Sequence, residues 1–169
     1  DDLSEEELRK LSVIDRLIAE LPTKKSDGVE LQKRIEGTLG SLTTDILPVG
    51  KENFPENCRV FFELKTRFLS RNFDKATALI SEILTETDFV QPELALREMR
   101  QDEENMKQDI ISEGHRFSVR RATANASAES AVIEFMRGFE GYKVLCEINR
   151  LSSDDFSAYL ESLNELAKR

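Results

Sequence analysis

The sequence predicts an all-α protein: a bundle of six or seven helices in antiparallel hairpins, with one long polar helix and one flexible basic loop. Three observations carry that expectation. Apolar residues recur at helical spacing along most of the 169 residues. Seven glycines and four prolines are too few for an all-β chain, which needs a turn about every 8–12 residues. A hydrophobic content of 39% supplies a core that disordered chains lack, so residues 1–169 read as a single helical domain.

The first helix is signed by Ser4 as a cap, with Glu7 completing a capping box and Leu3 and Leu8 at the staple positions. Leu8, Leu11, Ile14, Leu17, Ile18 and Leu21 form its stripe, and Pro22 ends it. The second helix starts at Asp27, with Glu30 at the box position. It runs through Leu31, Ile35, Leu39, Leu42 and Ile46 until Pro48 and Gly50 stop it. Gly37 and Gly40 inside it each cost about 1 kcal/mol against Ala. They either admit a close helix crossing or break the helix in two.

Phe54-Pro55 opens a third helix bearing Val60, Phe61, Leu64, Phe68 and Leu69. After a turn at Arg71-Asn72, a fourth carries Phe73, Ala76, Leu79, Ile80, Ile83 and Leu84. Pro92 opens the fifth. From residue 97 to 109 only Met99 and Met106 are apolar, so this helix projects from the body or lies in solvent. Ile110 and Ile111 return it to the core, and Gly114 ends it. Residues 115–128 are basic, then small, and read as a flexible loop. The sixth helix, 129–151, bears Val132, Phe135, Met136, Phe139, Tyr142, Leu145, Cys146 and Ile148, an apolar arc wide enough for a central helix. Gly138 and Gly141 repeat the glycine spacing of the second helix, which suggests that the two press together. Ser152 or Ser153 caps a last helix bearing Phe156, Tyr159, Leu160, Leu163 and Leu166.

The order Phe68-Leu69-Ser70-Arg71-Asn72-Phe73-Asp74-Lys75-Ala76 is aromatic, short polar turn, aromatic, acid, base, Ala, and Ile80 and Ile83 continue it. It resembles one tetratricopeptide or PCI-type helical repeat. Leu64 replaces the small residue of that pattern and Arg71 its turn glycine, and no second copy follows at a period of about 34 residues. The resemblance implies antiparallel hairpin packing and binding of a peptide or subunit.

Charge narrows the function. A formal net charge of −9 repels phosphates and argues against general nucleic-acid binding. No apolar run reaches the ~18 residues of a membrane span. A start at Asp1-Asp2 without a signal pattern suggests an excised part of a longer, intracellular protein. Cys58 and Cys146 read as buried free thiols, and Asn125-Ala126-Ser127 is a single glycosylation sequon. One histidine, His115, cannot make a zinc cluster, and Asp102-Glu103-Glu104 fan out over about 200° of a helix rather than converge. No metal, cofactor or catalytic set is expected.

The basic segment is sharper. Arg116, Arg120 and Arg121 follow residues 82–113, where ten acids face three bases. The simplest reading has these arginines attracted to the acidic helix. Arg120-Arg121-Ala122-Thr123 also fits a basophilic-kinase site, and Arg116-Phe117-Ser118 fits it in part, making Thr123 and Ser118 candidates for phosphorylation. A third reading is contact with a phosphate-bearing partner. The leading function is a non-enzymatic protein–protein interaction module, an adaptor or subunit that takes a helix or peptide in an inter-helix groove. Phe135, Met136, Phe139 and Tyr142 would be its anchors, with Arg67 and Arg71 beside them. A small-ligand or lipid carrier with a cavity in the bundle, and a helical enzyme using unassigned carboxylates, are the alternatives.

Overall fold

A computed structural model describes residues 4–168. Leu3, and with it the expected staple, lies outside the described residues. Eight α-helices surround a two-stranded antiparallel sheet: α1 (Glu5–Leu17), α2 (Gly28–Thr38), β1 (Ser41–Lys51), β2 (Phe54–Arg67), α3 (Phe73–Glu86), α4 (Pro92–Ser112), α5 (Gly114–Thr123), α6 (Ala128–Arg137), α7 (Phe139–Ile148) and α8 (Ser153–Leu166). A short 3-10 turn, Ser70–Asn72, precedes α3.

The helices with the strongest local signals form where the sequence places them. Ser4 and Glu7 close their capping box around α1. The Asp27 side chain accepts the Glu30 N–H at the start of α2. Pro92 opens α4, and Ser152 caps α8 through the Asp155 N–H. The main core gathers Ile14, Leu17 and Leu21 of the α1 region with Leu31, Leu79, Ile83, Phe89, Met99, Leu145, Leu160 and Leu163. A second cluster, Ile46, Val132 and Met136, fixes the sheet to α6.

The fold is not all-α, and it is not a bundle of six or seven helices. α2 stops at Thr38, and what continues is a β-hairpin pairing Ser41 with Arg67 through Gly50 with Cys58. Thr43, Thr44, Ile46 and Val49 are β-branched and favour the extended chain. In the expected third helix, Val60, Phe62 and Leu64 turn inward while Arg59, Phe61 and Lys65 stay exposed, a period of two. Asn53, at φ 64°, turns the hairpin in the left-handed region that Asn tolerates. The helical hairpin implied by the repeat-like segment is therefore absent. Its second half is α3, but its first half is strand.

Three further expectations give way. The basic loop over 115–128 is mostly α5, anchored by buried Phe117, and only a short connection precedes α6. The sixth helix breaks at Gly138 into α6 and α7, where a Cβ would collide with the buried Glu134 carboxylate. A Cβ on Gly141 would sit 2.7 Å from the Met136 carbonyl. These glycines therefore serve the α6–α7 corner, not a crossing with the second helix, where Gly37 has open space around its Cβ position. Finally, α4 is long and polar but does not project. Ala95, Met99 and Met106 bury it against the body, while Ile111 is 70% exposed and does not return to the core.

Candidate functional site

The hairpin has two unlike edges. On β1, the Arg137 guanidinium donates to the Ile46 carbonyl at 3.2 Å and pairs with Asp45. The Gly50 N–H donates to Glu129 Oε2 at 3.1 Å. Backbone groups of Ile46 and Gly50 thus point away from β2, and Pro48 between them has no N–H to offer. Side chains at the two ends of α6 and one proline close that edge. By the same alternation, Cys58, Val60, Phe62, Leu64 and Thr66 turn their N–H and C=O groups to the outer side of β2. Among the described residues these groups have no hydrogen-bond partner beyond the sheet.

The outward face of the hairpin is apolar at its centre. Leu47 pairs across the strands with Phe61, and Val49 follows; they are 40%, 48% and 44% exposed. Arg59, Glu63, Lys65 and Arg67 share this face, and Lys65 pairs with Glu63. Arg59 and Arg67 have no carboxylate partner among the described residues. Beside β2, on the inner side, Phe62 lines an open apolar groove of about 230 Å³ with Leu11, Ile14, Ile18, Leu84 and Leu166. No β1 residue lines it, so it lies on the β2 side of the hairpin.

The anchors expected on the sixth helix face inward. Met136 is 5% exposed, in the cluster with Ile46 and Val132. Phe135, Phe139 and Tyr142 are half-buried against the core; the Arg9 guanidinium lies 5.7 Å over Phe135, and Phe139 meets Phe117 at 5.5 Å between ring centres. Arg67 and Arg71 are exposed, at the end of β2 and in the 3-10 turn.

The arginines of α5 divide their attachments. Arg116 pairs with Glu113, as attraction to the acidic helix predicts. Arg120 instead donates to the Arg137 carbonyl at 2.8 Å and lies over the Phe117 ring. Arg121 reaches Glu140 of α7 at 2.9 Å. Ser118 and Thr123 are exposed, and their hydroxyls donate back to the Gly114 and Val119 carbonyls, each at 2.9 Å. Arg16, Arg116, Arg120 and Arg137 line a cavity of about 330 Å³ with Asp102, Asp109 and Glu113, so its charges largely compensate one another. Arg16 pairs with Asp102 at 3.1 Å.

One polar centre has no counterpart among the expected sites. Glu82, 4% exposed on the inner face of α3, takes both guanidinium nitrogens of Arg34 at 2.8 Å. Thr23 Oγ1 donates to it at 2.6 Å and Ser26 Oγ at 3.3 Å. The Arg34 hydrogen bonds, helped by the two hydroxyls, hold the Glu82 carboxyl below its ordinary value despite burial. The only signal in the sequence is an acid between Leu79 and Ile83 on an otherwise apolar face. Both cysteines are free and half-buried, and burial pushes both thiols up. Among the described residues no three His, Cys, Asp or Glu side chains converge as metal ligands, and no helix is long and apolar enough to cross a membrane.

Comparison with known proteins supplies the context. The model of a family described as peptidase-associated, for peptidases of family M16, subfamily C, matches residues 1–148. Protein HypA of Clostridium perfringens (strain 13 / Type A) is 21% identical over 150 residues, covering 89% of this chain. The chain spans only 15% of the length of that relative.

Proposed function

The chain belongs to this family of domains associated with M16 peptidases of subfamily C, and we propose that it is a non-catalytic interaction module whose β-hairpin docks on a peptidase polypeptide. The observation that carries this reading is the outward face of the hairpin. Leu47, Val49 and Phe61 form one apolar patch on a sheet of two strands. A two-stranded sheet needs a further covering element to be stable in its own right. Contiguous exposed apolar surface of this kind is typical of interaction sites. The inter-helix groove gives way to the hairpin because Met136, expected among its anchors, is used inside.

The test is site-specific photo-crosslinking in the protein as the cell makes it. A photoreactive amino acid replaces Phe61, and Ile111 on α4 serves as an equally accessible control. Cross-links from position 61 to the sequence of an M16-family peptidase, in the same polypeptide or another, are expected. Equal yields from both positions, or none to such a sequence, would sink the reading.

A further inference from the structure

We infer that the outer edge of β2 is a strand-addition site, and that its occupant is an extended segment alternating apolar and polar residues, with carboxylates opposite Arg59 and Arg67. The inference rests on the docking role proposed above and says how that docking is made.

Three features converge on the same side of the hairpin. The first is the unequal treatment of the edges. β1 is closed by Arg137, Glu129 and Pro48, whereas the backbone groups of Val60, Phe62 and Leu64 on the far side of β2 have no partner among the described residues. Free strand edges are templates for another strand, and natural proteins usually blunt them. Here one edge is blunted and the other left open.

The second feature is the groove under that edge. A strand laid beside β2 places alternate side chains on the inner face, next to Val60, Phe62 and Leu64. There the apolar groove between Phe62, Leu11, Ile18, Leu84 and Leu166 receives them. Main-chain hydrogen bonds hold such a segment, and pockets for alternate side chains select it.

The third feature is charge. On the outer face, Lys65 is already paired with Glu63, but Arg59 and Arg67 have no carboxylate partner among the described residues. Directly opposed residues of neighbouring strands lie about 5 Å apart, so carboxylates in an added strand meet these guanidinium groups. The rest of this chain, at a net charge of −9, would repel an acidic segment, so these two arginines are what makes this edge receptive to one.

The probe is a synthetic peptide of about nine residues, the span from Arg59 to Arg67, alternating valine and threonine with glutamate at both ends. It is added to the full chain, and binding is followed by NMR and amide hydrogen exchange. The expected result is new protection at the Val60, Phe62 and Leu64 amides and none along β1. The double variant R59E/R67E should weaken the peptide at least tenfold. A peptide with lysine at both ends should bind as weakly to the unaltered chain.

Binding without protection of those amides would overturn strand addition while leaving hairpin docking intact. Protection that charge reversal does not weaken would overturn the acidic occupant. If the chain alone self-associates and protects the same amides, the occupant is a second copy and the assignment fails. Because both arginines are exposed, their reversal leaves the core untouched, and the circular dichroism of the variant verifies this. Cross-linking from position 61 reads docking without depending on the edge, so the two proposals fail separately.

Discussion

Replacing Arg34 with Ala removes the guanidinium from Glu82 and leaves a carboxylate that is 4% exposed. Breaking a buried pair by deleting one partner costs about 3–5 kcal/mol when the survivor is left dry and unpaired. Two features reduce that here. The Arg34 side chain is 37% exposed, so water can follow it into the gap. Thr23 and Ser26 also continue to donate to Glu82. The expected loss is about 2–3 kcal/mol, which lowers Tm by about 5–10 °C for a chain of this size. Glu82→Gln keeps the shape and removes the charge, at a cost of about 1–2 kcal/mol. The double variant should cost less than the sum of the two by about 1 kcal/mol or more, because each change removes the same pair. Urea unfolding followed by far-UV circular dichroism reads all three. A loss of under about 0.5 kcal/mol for Arg34→Ala, or strictly additive losses, would refute the assignment of Glu82 as a buried ionic centre.

The same pair sets an acid limb. The Glu82 carboxyl lies below its ordinary value in the folded chain, so the unfolded chain takes up its proton first. Its contribution is complete above the unfolded value of about 4.3 and disappears as pH falls through the folded one. Unfolding midpoints measured from neutral pH downward should fall in that window, and Arg34→Ala should flatten the fall. Gly141→Ala should destabilise by about 1–3 kcal/mol, since its Cβ would meet the Met136 backbone at 2.7 Å. Gly37→Ala, in open space within α2, should stabilise by about 0.5–1 kcal/mol in the same unfolding assay. The Tyr159 hydroxyl is buried with no hydrogen-bond partner among the described residues. Tyr159→Phe should therefore be neutral or stabilising by up to about 1 kcal/mol, and a clear loss would reveal a partner for that oxygen.

How legible each element is depends on whether its signal is local. Ser4 with Glu7, Asp27, Pro92 and Ser152 announce their helices within four residues of chain, and those helices begin as expected. The hairpin escapes a reading by spacing because its apolar positions serve both periods. Leu42 and Ile46, like Val60 and Leu64, are four apart, which is one helical turn and also two strand repeats. The discriminating cue is the β-branched content of residues 43–49, backed by Gly40 as a breaker. α5 resembles a loop in sequence because its apolar stripe is reduced to Phe117, yet Arg and Ala are good helix formers, and one buried ring with the preceding helix suffices. Arg67 and Arg71 stand out for their charge, and they are exposed. Met136 stands out for its spacing and is spent in the core, a distinction that spacing alone cannot make. Glu82 and Arg34 stand 48 residues apart, and nothing local joins them.

The unequal edges also limit how many copies of this chain can join. Growth of a cross-β filament requires each unit to accept a neighbour on both sides. With β1 sealed by Arg137, Pro48 and Glu129, each molecule has a strand-pairing valence of one. Any strand added to β2 ends the series, and two copies meeting edge to edge would consume both valences. The side chains of α6 therefore act as a chain terminator: the domain can carry an open strand without becoming a seed for polymerisation.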